Sequence, residues 1–200
     1  MGIVRLASNA DILVTGGAGF IGSHVVGLLV EAGRTVRVLE LPGVPVDHLP
    51  SPGVSVMRGD IATAADVQRA MTGCGRVLHL AANPNLWHRD ERQFNRINHL
   101  GAVNVLEAAA ALGVERVIHV STESILAQRD RRQTITESTR TTLSEMVGPY
   151  CRSKWLAEQA AWRAIDAGQP VTIVSPTVPV GPGDHRPTPL TRLIIDYARG

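Results

Sequence analysis

Tyr150 and Lys154 stand four residues apart in "PYCRSKWLAE". On a helix that spacing puts both side chains on one face. An ammonium beside a phenol favours the phenolate and draws its pKa down from about 10, which gives a base able to work nearer neutrality. A Y-x-x-x-K match by itself recurs by chance. What gives this one weight is its company. The hydroxyl pair Ser121 and Thr122 closes an apolar run upstream, and "DILVTGGAGFIG" at residues 11–22 places Gly16, Gly17, Gly19 and Gly22 directly behind another.

Glycine costs conformational entropy on folding, so a cluster of it needs a reason. Between a strand and a helix the reasons are a tight turn, close approach of a pyrophosphate, and close packing of helix on strand. Gly16, Gly19 and Gly22 lie three apart, and Gly17 also permits a G-x-G-x-x-G reading. The helix that follows would present free N–H groups and a partial positive charge to phosphates. Glu40 comes eighteen residues after Gly22 and closes the next apolar run, where a carboxylate accepts hydrogen bonds from an adenosine ribose. That carboxylate repels a 2′-phosphate and favours NAD over NADP. Arg37 points the other way but lies inside the strand. No Walker lysine follows the loop, which argues against an NTPase.

The elements that must position these residues are legible from periodicity. Short β-branched runs fall at 12–15, 35–40, 54–58, 76–81, 116–121 and 171–175, with helix-like segments at 19–32, 63–72, 90–112 and 149–167. Gly33 and Gly113 follow two of those helices as C-terminal glycines should. Strands alternating with helices imply βαβ units: an α/β fold, a Rossmann-like doubly wound parallel sheet. Its active groups gather at the C-terminal strand ends.

Composition excludes other classes. The 200 residues carry a net charge of +2 and 44% hydrophobic residues, an ordinary globular balance that demands neither nucleic acid nor a membrane surface. The one dense basic patch, Arg129, Arg131 and Arg132, contains Asp130 and reads as a solvated loop. Cys74 and Cys151 make no disulfide framework and point to a reducing cytoplasm. The histidines lack ligand spacing, so no metal is expected; His79 and His119 read as satisfied core histidines. There is no apolar leader and no 18-residue apolar run.

The chain resembles the extended short-chain dehydrogenase/reductase, or NAD-dependent epimerase/dehydratase, family. The resemblance rests on "TGGAGFIG", "GDI" at 59–61, "HLAA" at 79–82, "NHLGAVN" at 98–104, "VSTES" at 120–124, "YCRSK" at 150–154 and "SPTVPVGPGD" at 175–184, in family order. "TLSEMVGPYCRSK" and "SPTVPVGPGDHRPTP" are most similar to hopanoid-associated sugar epimerases. The resemblance implies NAD as cofactor, bound through Gly16, Gly19, Phe20, Ile21 and Gly22, with Glu40 on the ribose. Asp60 and Ile61 would hold the adenine, Ala81 and Ala82 would pass under the cofactor, and Asn98 would brace the active-site helix. Tyr150 would be the base, Lys154 would serve the nicotinamide ribose and tune the tyrosine, Thr122 would hydrogen-bond the reacting hydroxyl, and Pro176 would lie along the nicotinamide. Dehydratases of the family carry an acid/base pair after the catalytic threonine. Here the pair is Glu123 and Ser124, so oxidation, reduction or epimerisation is favoured over elimination of water.

The expected function is therefore epimerase or oxidoreductase chemistry on a hydroxyl or keto group of a sugar nucleotide or similar polar metabolite. The alternatives are a dihydroflavonol-reductase-like or hydroxysteroid-like reductase, and a non-catalytic NAD-binding module. Residues 1–180 read as the NAD-binding domain and 181–200 as the start of a substrate-binding region, the C-terminal substrate domain being largely missing. The resemblance implies a homodimer, since family members often pair two such helices with their symmetry mates; here 149–167 carries alanine and tryptophan stripes and 97–112 is alanine-rich.

Overall fold

The computed structural model describes residues 10–127 and 134–200. The basic patch at Arg129, Arg131 and Arg132 lies outside the described residues, as do residues 1–9. Six strands, β1 (Ile12–Thr15), β2 (Val36–Glu40), β3 (Val54–Arg58), β4 (Arg76–His79), β5 (Arg116–Val120) and β6 (Val171–Val174), form one sheet in the order β3-β2-β1-β4-β5-β6. Every pairing is parallel. That order reverses between β1 and β4, and the crevice outside the strand ends at such a point is where ligands bind in this architecture.

Alternating strand residues face opposite sides. Leu13, Leu39, Val77, Val117 and Val171 share a core with α2 (Ala64–Met71), α4 (Gly101–Ala111) and α5 (Gly148–Asp166). Ile12, Val14, Val36 and Val38 meet Val26 of α1 (Phe20–Glu31) on the other side. The expected C-terminal glycines take the left-handed conformation, Gly33 at φ 74° and Gly113 at φ 64°. Ala157, Ala160, Ala161 and Ala164 of α5 are all buried within the chain, so its alanine stripe is part of this chain's own core.

One difference from the sequence reading matters. The helix expected over 90–112 is interrupted: α3 (Arg92–Phe94) runs into a π-helical stretch, Asn95–Leu100, before α4 begins. The wider turn carries Asn98 into the interior, and π-bulges of this kind recur at functional sites. At the far end, α6 (Pro189–Arg199) buries no residue and leaves Leu193, Ile194 and Tyr197 exposed. Among the described residues no helix is long and apolar enough to cross a membrane.

Candidate cofactor and active site

The glycine loop is built by exclusion of side chains. Gly16 sits at φ 68°, and a Cβ there would lie 2.7 Å from the Cα of Ala81, which follows β4. A Cβ on Gly22 would lie 2.2 Å from the Gly16 carbonyl oxygen and 2.8 Å from the Gly17 Cα, so this glycine lets α1 press onto the loop. Gly19 is different. It is exposed, has an ordinary extended conformation, and the one close contact a Cβ on it would make among the described residues is with the Gly16 oxygen, at a tight 3.2 Å. As the N-cap of α1 it offers no side-chain hydrogen bond to the first turn. The N–H groups of Phe20, Ile21 and Gly22 therefore form a donor set suited to a phosphate. The Phe20 ring lies edge-on to His24, 5.5 Å between centroids.

Glu40 ends β2 beside this loop. Its carboxylate accepts from its neighbour Leu41 N–H at 3.0 Å and faces the Ala18 N–H at 3.4 Å. Arg37 settles a question the sequence left open. It is buried and donates two 2.7 Å hydrogen bonds to the carbonyls of Ala70 and Thr72 at the end of α2, away from the cofactor crevice. Asp60 accepts from the Ala62 N–H at 2.9 Å and pairs with Arg96 of the π-helical stretch. Ile61 is buried under Gly101, and its carbonyl accepts from Asn104. Ala81 donates its N–H to Thr15 Oγ1 at 3.2 Å, and Ala82 is half-buried beside it. Dinucleotide-shaped chemistry fits: donors at a helix start, a cradle that side chains would fill, and a carboxylate one strand away.

The residues expected to react assemble at the ends of β5 and β6. Thr122 is buried and caps a short 3-10 turn, Glu123–Ile125. Its hydroxyl lies 3.1 Å from Glu123 Oε2, and it is also hydrogen-bonded to the Tyr150 phenol. The Pro176 carbonyl accepts from the Glu123 N–H at 3.4 Å, which brings the segment after β6 against the same turn. Asn98 braces two elements: Oδ1 accepts from Asn83 N–H at 2.7 Å, and Nδ2 donates to Ser153 Oγ at 3.0 Å. Ser153 in turn donates to the Tyr150 carbonyl at 2.7 Å. Sequence spacing gave no sign of this relay, because the π-helical stretch creates it.

The phenol does not behave as its spacing from Lys154 predicts. Burial pushes Tyr150 up from its usual value, the Thr122 hydrogen bond opposes this, and Cys151 and Glu123 add to the rise. Lys154 instead turns its ammonium to the Val120 carbonyl, 2.7 Å away. Burial pulls that lysine down to about 8, with Glu158 opposing. Two histidines that the sequence places in the core lie close by. His79 and His119 face each other from β4 and β5 with ring centroids 5.5 Å apart. Burial, assisted by the Lys154 charge, holds His79 at about 3 and His119 well below its usual value. His79 shares a 2.8 Å hydrogen bond with Thr15 Oγ1, whereas neither ring nitrogen of His119 has a hydrogen-bond partner among the described residues. So only one of the two is the satisfied core histidine expected.

Comparison with known proteins bears directly on this geometry. The family model of the NAD dependent epimerase/dehydratase family matches residues 12–200. A Synechocystis sp. protein named "Putative dihydroflavonol 4-reductase" is 35% identical over 186 residues, covering 93% of this chain and 54% of its own length. The 2-alkyl-3-oxoalkanoate reductase of Stenotrophomonas maltophilia is 31% identical over 179 residues, covering 89% and 53%. The crystal structure of Thermus thermophilus UDP-glucose 4-epimerase with NAD superposes with a TM-score of 0.82 at 29% identity, covering 92% of this chain and 60% of that one. The chain spans about half the length of the curated relatives it matches. It belongs to the NAD dependent epimerase/dehydratase family.

Proposed function

We propose that this member of the NAD dependent epimerase/dehydratase family carries NAD in the β1–β4 crevice and supports epimerisation or oxidoreduction of a hydroxyl or keto group on a sugar nucleotide or similar polar metabolite. One observation carries the reading. Thr122, Tyr150 and Lys154 converge at the C-terminal end of β5, on the same edge of the parallel sheet as the uncapped start of α1, which follows β1 two strands away. NAD held there supplies a hydride acceptor that can return the hydride to either face of a ketone. The chain's own residues handle the proton: Thr122 Oγ1 holds the reacting oxygen in line with the Tyr150 phenol, whose Oη takes the proton on oxidation and returns it on reduction. Lys154 is the cation available to the ribose and to a developing phenolate.

Glu40 supports NAD over NADP, because its carboxylate stands where a 2′-phosphate would meet like charge, and Arg37 is committed elsewhere. Asp60 and Ile61 are assigned to the adenine, Ala81 and Ala82 to the cofactor's underside, and Pro176 to the nicotinamide. Residues 1–180 form the cofactor unit and 181–200 begin the substrate-binding region. We also place the protein in the cytoplasm and as a homodimer, paired through the outer faces of α4 and α5.

A second reading, a ketone reductase, is favoured by the reductase names of two relatives and by the protonated state in which burial holds Tyr150. The likeness to hopanoid-associated epimerases belongs to the first reading alone. Tyr150→Phe, made in a chain carrying the C-terminal half found in its relatives, should abolish turnover and leave NAD affinity nearly unchanged. Unchanged turnover would reduce the protein to an NAD-binding module. Turnover of a keto substrate with NADH, without epimerisation of a sugar nucleotide, would select the second reading.

A further inference from the structure

Three residues of α5, each one turn from the next, grip three consecutive residues at the end of β5. Tyr150 is hydrogen-bonded to Thr122, Lys154 Nζ donates to the Val120 carbonyl at 2.7 Å, and Glu158 Oε2 accepts from Ser121 Oγ at 2.5 Å. The first two belong to the proposed chemistry and the third has had no role. Glu158 is 7% exposed, and its other oxygen accepts from Trp162 Nε1 at 3.3 Å. A carboxylate taken out of water at this cost is worth keeping only if something nearby needs its charge.

We propose that Glu158 is a positioning residue for Lys154: its carboxylate keeps the buried ammonium charged and aimed at the cofactor ribose, while its bond to Ser121 holds the Thr122 turn in register with α5. This rests on the reading that Lys154 serves the cofactor. The surroundings of Lys154 explain why an anion is required. β4 and β5 present His79 and His119, both neutral and therefore no counter-charge, and both disfavoured by the lysine's own charge. Glu123, in the turn after β5, acts on Tyr150 and Cys151. The π-helical stretch contributes uncharged Asn98 to Ser153, and His99, which faces Arg163 two turns further along α5. α4 and β6 offer Val105, Ala108, Ala109, Val171 and Ile173 to the shared core. Burial lowers the Lys154 ammonium, and among the described residues Glu158, one turn further along α5 and fixed to Ser121 beside the Val120 carbonyl, is the anion that opposes it.

The test is Glu158→Gln, which keeps side-chain size and an acceptor for Ser121 while removing the charge. Two measurements are made on the 200-residue chain: titration of the Lys154 side chain by NMR of 13C-lysine-labelled protein, and the NAD dissociation constant at pH 6.5 and 8.0, with Lys154→Met as reference. The Lys154 titration midpoint should fall by at least about one pH unit, because a nearby opposite charge has been removed from a poorly screened site. NAD affinity of the variant should then drop about threefold or more between the two pH values, and that of the parent by less. An unchanged Lys154 midpoint overturns the proposal, whatever the variant does to stability. A lowered midpoint with pH-independent NAD binding, and with Lys154→Met binding as tightly as the parent, leaves the coupling standing. In that case it is the assignment of Lys154 to the ribose that fails.

Discussion

Gly19 and Gly22 lie on the same loop and should fail for opposite reasons when each is replaced by alanine. At Gly22 the added carbon would sit 2.2 Å from one backbone atom and 2.8 Å from another, neither of which can swing away as a side chain could. α1 must lift from the loop, an overpacking cost of about 1–3 kcal/mol. For a chain of this size that lowers Tm by roughly 2–12 °C. At Gly19 the same carbon meets a single atom at 3.2 Å with ordinary dihedral angles, so stability should fall by less than about 1 kcal/mol, the difference between glycine and alanine at an N-cap. Yet that carbon would occupy the approach to the first-turn N–H groups. Losing one charge-assisted hydrogen bond there costs about 1.5–3 kcal/mol, a tenfold or greater loss of NAD affinity. Thermal melts and NADH fluorescence titrations on the two variants separate the effects. Gly19→Ala binding NADH as tightly as the parent, with an unchanged melt, would refute the reasoning that this glycine exists to admit a ligand.

Other expectations follow from the same geometry. NAD(H) should bind more tightly than NADP(H), and Glu40→Ala should narrow the gap; tighter NADP(H) binding to the parent contradicts the role of Glu40. Arg37→Leu should cost roughly 2–3 kcal/mol in denaturant melts by stripping the α2 carbonyls of a charged donor, yet leave the NAD/NADP ratio unchanged. His79 is held neutral, its pKa pulled from 6.5 to about 3, so the unfolded chain takes up its proton first as pH falls. Its contribution is complete above pH 6.5 and is lost at about 1.4 kcal/mol per pH unit on the way down towards 3. His79→Asn should therefore flatten the acid limb of a stability–pH curve, and an unaltered slope would count against the buried neutral ring. Light scattering at micromolar protein should report a dimer, and a monomeric mass would contradict that assignment.

Much of this was legible because it is periodic or punctuated. The strands read as β-branched runs bounded by turns, and their observed bounds lie within two residues of those runs because Gly16, Gly53, Gly59, Gly75 and Pro170 punctuate their ends. The glycine loop was visible because Gly16 and Gly22 are forced by backbone contacts that no other residue tolerates. What stayed hidden depends on contacts between residues far apart in the chain. Arg37 could have faced the cofactor or the helix beneath it, and only the position of α2 decides. The π-helical stretch shifts the helical phase by a single residue, and periodicity over a whole helix averages that away. Tyr150 and Lys154 share a face, as their spacing requires, but the burial that raises one and lowers the other comes from the depth at which α5 lies against β5.

NAD should bind in the crevice between the glycine loop and the Thr122–Tyr150–Lys154 cluster. The most direct measurement is an NMR titration of the 15N-labelled 200-residue chain with NAD. Saturable shifts should concentrate at Gly16, Gly17, Phe20, Ile21 and Gly22, at Glu40, and at Ala81, Thr122 and Lys154. Shifts centred elsewhere on the sheet, or no saturable change at millimolar NAD from a folded chain, would rule out a cofactor site in this crevice.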